Sequence, residues 1–167
     1  MIVSNSFALI STLGVALSAL AADQPSVRIH PPNRDGPRQL QEQTLKAAVQ
    51  NYLDAWRSMS DALDENRPEL LDRDFIGSAK DKLAATIRKQ QACGVHTVYH
   101  DRSHDMQILF YSPEGLSIEL ADTVAYDVQL FSHAGAIGTQ QVRTRYIVVL
   151  TPTEVRWRVR ILQAQPQ

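Results

Sequence analysis

Apolar residues recur at spacings of three and four between residues 39 and 93. Between residues 95 and 162 they alternate with polar ones, and the change of period falls at Gly94. Helical period followed by strand period, within the length of one domain, predicts an α+β fold with helices packed on one face of an antiparallel sheet. A first helix is expected over residues 39–64. Leu45, Val49, Tyr52, Leu53, Trp56, Met59 and Leu63 form its apolar stripe, while Glu42, Lys46, Gln50, Asp54 and Arg57 face away. Asn66-Arg67-Pro68 ends it, and Pro68 suits the first turn of a short helical segment over residues 68–72. A second helix is expected over residues 78–93, with Ala79, Leu83, Ile87 and one of Gln90 or Gln91 inward and Gly94 as the residue that stops it.

Four strands are expected over residues 97–111, 116–130, 140–150 and 155–161. In the second, Leu116, Ile118, Leu120, Val124, Tyr126, Val128 and Leu130 share even parity, with Ser117, Glu119, Thr123, Asp127 and Gln129 between them. One face of that strand is therefore apolar. In the third, Val142, Thr144, Tyr146, Val148 and Leu150 point inward. In the fourth, apolar Val155, Trp157, Val159 and Ile161 alternate with Arg156, Arg158 and Arg160. The first strand is expected to bend or break between Asp101 and Asp105, where the alternation fails.

The N-terminus belongs to neither half. Residues 7–21 carry no charge and end in Ala19-Leu20-Ala21. The run is shorter than the roughly 20 residues that a membrane span needs, and its A-x-A ending predicts a secretory leader removed after Ala21. Its first six residues contain no Lys or Arg, so the usual basic start is missing. Residues 22–38 hold Pro25, Pro31, Pro32 and Pro37 and read as an extended tether. The expected layout is leader 1–21, tether 22–38, one α+β domain 39–163 and tail 164–167. The expected location is periplasmic or extracellular.

Charge and cysteine content narrow the picture little. A net charge of −1 in 167 residues offers no field to attract nucleic acid. Cys93 is the single cysteine, so the chain cannot form an internal disulfide. At the end of a helical pattern it is expected to be a half-buried small hydrophobe.

Several short segments carry a family likeness. Leu53-Asp54-Ala55-Trp56, then Leu70-Leu71, Ile87, and Gly94 followed by Val98-Tyr99-His100 resemble the IMS-type branch of the nuclear transport factor two superfamily. Arg145-Tyr146 with Trp157-Arg158-Val159 is similar to the last hairpin of that family. The resemblance covers about residues 40–162. It implies a cystatin-like cone fold: two to three N-terminal helices on a curved four-stranded antiparallel sheet that encloses a pocket. The superfamily includes ketosteroid isomerases, dehydratases, polyketide cyclases and non-enzymatic binding domains, so the fold alone selects no activity.

Asp122 breaks the apolar parity of the second long strand. Either it points into the cone, where burial would raise its pKa and suit it to act as a general base, or it is structural, turned outward by a β-bulge at Ala121-Asp122 or satisfied by a hydrogen bond. Tyr52, Trp56, Met59, Tyr126, Tyr146 and Trp157 share the inward stripes with it and are candidate pocket-lining residues. Tyr126 and Tyr146 are candidate hydrogen-bond donors. His96, His100 and His104, with Asp101 and Asp105, invite a metal reading. On a strand, however, four residues span roughly 13 Å, too far for two imidazoles to share an ion. No metal or other cofactor is expected, and these residues are read as a polar, partly exposed strand. Arg143, Arg145, Arg156, Arg158 and Arg160 share outward parity and form a candidate partner surface. That basic character sits poorly with a purely apolar dimer interface. No Ser-His-Asp order, G-x-S-x-G elbow, phosphate-binding glycine loop or H-E-x-x-H is present.

These residues lead to an expectation of an exported, non-catalytic binding or protein-interaction module. Its partner would be a protein or a small apolar ligand, with a homodimer as an option. Neither nucleic acid nor a membrane span after leader removal is expected. The alternative is a small-molecule isomerase, cyclase or dehydratase with Asp122 as base and Tyr126 or Tyr146 as donor.

Overall fold

The structure, a computed structural model, describes residues 24–30 and 38–165. The apolar leader-like run and residues 31–37 of the tether lie outside the described residues.

Helix α1 spans Glu42–Asp64, a 3-10 turn spans Pro68–Leu71, and helix α2 spans Gly77–Cys93. Five strands follow one another in order across one sheet: β1 (Ser26–His30), β2 (Val95–Tyr111), β3 (Ile118–Ser132), β4 (Gly135–Pro152) and β5 (Trp157–Ala164). Strands β2 to β5 form the expected antiparallel meander, whereas β1 runs parallel to β2. The sheet is therefore five-stranded and mixed, not four-stranded and antiparallel, and part of the expected tether is a strand. All five β1 residues are exposed. Pro25 immediately precedes β1, where its missing N–H removes no ladder hydrogen bond.

The two stripes meet as their periods require. Val49, Tyr52, Trp56, Met59 and Leu63 of α1 are buried, as are Ala79, Ala84, Ile87 and Gln90 of α2. They pack on Ile118, Leu120, Val124, Val148, Leu150 and Val159. Gly94 turns the chain from α2 into β2 with φ +65°, a left-handed conformation that costs glycine little, and its N–H bonds Gln91 O at 3.1 Å. Cys93 beside it is exposed rather than half-buried.

A buried carboxylate clamps the helices to the far strand. Asp74 is fully buried and accepts from Ser58 Oγ, Arg73 Nε and Arg156 Nη1. Burial works against its charge, but these donors outweigh that and hold its pKa below the usual carboxylate value. Main-chain bonds reinforce the clamp: Val159 N donates to Asp74 O at 2.8 Å and Ile76 N to Val159 O at 2.9 Å.

The strands bend at extra residues. Arg102 and Leu109 bulge from β2, Ile137 from β4 and Arg160 from β5. None falls at Ala121-Asp122, so Asp122 keeps inward parity. Two smaller expectations fail: β3 begins at Ile118, leaving Leu116 exposed outside it, and Val155 lies exposed in the turn before β5. The arginines do not form one plaque. Arg143 and Arg145 are exposed on β4, Arg156 turns to Asp74, Arg158 is half-buried, and Arg160 lies in the bulge beside Ser78.

Candidate functional site

The Arg102 bulge decides what the cone contains. Before it, odd residues of β2 face inward: Thr97, Tyr99 and Asp101. After it, even residues do: His104, Met106 and Ile108. One extra residue reverses strand parity, so two residues three apart, Asp101 and His104, both enter the cone. Cross-strand pairing sets Asp101 beside Tyr126, His104 beside Val124, and Asp122 between Met106 and Tyr146.

A continuous polar chain results. Asp101 Oδ2 lies 2.7 Å from His104 Nε2, and His104 Nδ1 lies 2.6 Å from Asp122 Oδ2. Tyr52 of α1 donates its hydroxyl to the same Asp122 oxygen at 3.0 Å. The His104 and Asp122 side chains are fully buried, while the Asp101 side chain keeps 24% of its surface exposed. Burial pulls the imidazole pKa down, but the carboxylates at its two ring nitrogens outweigh this and push it up to about 9. At neutral pH His104 is therefore an imidazolium between two aspartates. Burial foremost, with the Asp122 charge, raises the Tyr52 hydroxyl well above its ordinary value.

Aromatic rings wall this chain. The Trp56 ring centre is 5.3 Å from that of His104, 5.9 Å from Tyr126 and 5.6 Å from Tyr146. Tyr126 and Tyr146 share a hydroxyl–hydroxyl bond of 3.0 Å. Burial first and then that bond raise the Tyr146 pKa, and burial with Tyr126 alongside pushes Tyr99 up to about 12.

Of the candidate lining residues, Tyr52, Trp56, Asp122, Tyr126 and Tyr146 are brought together. Met59 is buried in the same helix stripe. Trp157 stands apart at the start of β5, where its backbone N–H donates to Asn51 Oδ1 at 2.9 Å. The histidines separate. His100 is exposed, His96 bonds Asp64 Oδ1 at 2.8 Å, and His104 is buried at the centre of the network instead of lying on a partly exposed strand. Asp101 and His104 were legible only through the failed alternation around them, which marks the bulge without showing which side chains it turns inward.

In chemical terms, neither His104 nitrogen is free to take a proton. The one unpartnered acceptor beside it on Asp122 is Oδ1, which is buried. Asp101 Oδ1 is likewise buried without a partner.

Comparison with solved structures fixes the architecture. The intermembrane space region of the chloroplast protein ARC6 superposes with a TM-score of 0.65 at 12% identity, over 78% of this chain and 100% of that one. The chain has the cone fold. A scytalone dehydratase-like protein of Novosphingobium aromaticivorans matches with a TM-score of 0.51 at 14% identity, over 75% of this chain and 89% of that one. Aln2 from a Streptomyces species matches with a TM-score of 0.51 at 11% identity, over 77% of this chain and 94% of that one. At these identities the cone chain shares architecture with its neighbours and no more. No family model matches the sequence, and no curated protein matches it.

Proposed function

We propose that this chain is an exported, non-catalytic binding or protein-interaction module whose cone is filled by its own side chains. One observation carries the reading. Both ring nitrogens of His104 are bonded to carboxylates of the same chain, and the His104 and Asp122 side chains have no solvent-accessible surface. A general base must come within hydrogen-bond reach of a substrate proton. A network closed on itself serves instead as a strut that fixes α1 against β2 and β3. Export rests on the uncharged run of residues 7–21 and its A-x-A ending. No helix among the described residues is long and apolar enough to cross a membrane. The likeness to an intermembrane-space region is in keeping with a module that works outside the cytosol.

A second reading has one observation in its favour. Asp122 Oδ1 is an unpartnered carboxylate oxygen facing the cone, as an isomerase or dehydratase base would be, with the Tyr126 and Tyr146 hydroxyls on the neighbouring rings. It requires α1 to lift and admit a substrate.

Nuclear magnetic resonance of imidazole-labelled protein separates the two. A filled cone gives two His104 ring N–H signals at neutral pH that exchange slowly with water and do not respond to an apolar ring compound such as naphthalene. Rapid exchange, or saturable shifts of those signals on adding naphthalene, would overturn the filled cone on which the non-catalytic reading rests.

A further inference from the structure

The outer face of the sheet carries a polar hollow that the cone does not use. His30, Asp105, Gln107, Ala121, Thr123 and Arg145 line it, and it encloses about 120 Å³. Its shape follows from register. Arg28, Asp105, Thr123 and Arg145 stand opposite one another across β1 to β4, and His30, Gln107 and Ala121 form the adjoining row. Ala121, 3% exposed, is the short floor between longer side chains. Because the walls rise from four paired strands, the hollow is held by backbone hydrogen bonds rather than by a loop.

Its hydrogen-bonding capacity is unbalanced. Asp105, the one carboxylate, has Oδ1 bonded to His30 Nε2 at 2.6 Å. Gln107, Thr123 and Arg145 make no side-chain hydrogen bond among the described residues. What is left unused is a guanidinium fork, an amide and a hydroxyl, with Asp105 Oδ2 as the one carboxylate oxygen among them, a set still weighted toward donors around the Arg145 cation. A guanidinium fork matches a planar carboxylate with two parallel bonds. One water needs roughly 10–15 Å³ of such space, so the hollow has room for such a group on a short stem.

We propose that this hollow binds a carboxylate, with Arg145 as the bidentate donor and Thr123 and Gln107 completing the contacts. The site supplies the binding module with a defined ligand chemistry, yet it stands whether or not the cone opens. β1 contributes His30, so the site is complete only while the N-terminal strand is paired to β2.

The test is titration of the ¹⁵N-labelled chain with N-acetylglycine, and with N-acetylglycinamide as the uncharged control. Saturable shifts at the Ala121 and Thr123 amides are expected with the acid and not with the amide. In Arg145→Gln, an exposed position, affinity for the acid should fall about tenfold or more through loss of the charged fork. Equal response to acid and amide in the wild-type chain overturns the proposal without any variant, as does undiminished binding by Arg145→Gln. The His104 ring signals report on the cone in the same spectra, so failure of this site and failure of the closed-cone reading are told apart.

Discussion

Replacing Asp122 by Asn removes one of the two charges that hold the His104 imidazolium while keeping the side chain's shape. In the folded chain the His104 pKa stands at about 9, against 6.5 for the free side chain. A gap of that size amounts to about 3 kcal/mol of preference for the charged ring. Both partners are fully buried, so solvent does not screen the pair. Because the folded value is raised, this stabilisation is complete below pH 6.5 and disappears as pH rises through 9. Asn also places an N–H₂ where Oδ1 has no partner, leaving a buried donor unsatisfied. Asp122→Asn should therefore lower unfolding free energy by ~2–4 kcal/mol at pH 6, a large part of the 5–15 kcal/mol typical of a domain. The deficit should shrink to about 1 kcal/mol by pH 10, where the wild-type ring is itself neutral. Urea unfolding followed by tryptophan fluorescence at both pH values measures it. A deficit independent of pH would refute a charged His104. A variant more stable than wild type would mean that the network stores strain, as a catalytic site can, and would favour the enzyme reading.

Other consequences are local. Asp74→Ala strands Arg156 and removes the side-chain link between α1 and the turn before β5, and should cost about 3 kcal/mol in chemical unfolding. Because the Asp74 pKa is lowered on folding, its contribution is present above the ordinary carboxylate value of 3.8 and is lost as pH falls through the folded value. Acid unfolding of Asp74→Asn should accordingly lack part of the wild-type pH dependence. Gly94→Ala places a Cβ at φ +65° and 3.4 Å from the His133 ring, and should lower stability by about 1 kcal/mol without changing the circular dichroism spectrum. Removing residues 1–37 deletes β1, whose five residues are all exposed. The remainder should stay folded, with hydrogen exchange accelerating in residues 103–107 of β2 and nowhere in β3 or β4.

Much of the architecture was legible because it is written in short-range periods. A stripe at spacings of three and four permits one packing face for α1, and even parity from Ile118 to Leu130 permits one for β3. Tyr52, Trp56 and Asp122 could be placed on facing surfaces for that reason alone, and Gly94 could be recognised as the corner between them. Short range is also where this legibility ends. β1 shows no stripe, since an edge strand of five exposed residues buries no face, and only pairing with β2, some 75 residues away, makes it a strand. Arg156 fits an outward alternation until the fold brings Asp74 within reach of it. The site depends most on tertiary structure. Periodicity on β2 announced a break near Asp101 but not its direction. The bulge at Arg102 turns His104 inward, and Asp122, on the neighbouring strand, meets it there. The sequence by itself determined which surfaces must be covered. The tertiary structure decided which polar groups are trapped between them, because an imidazolium survives burial only where folding pairs its charge and supplies an acceptor to each N–H, here a carboxylate at both nitrogens.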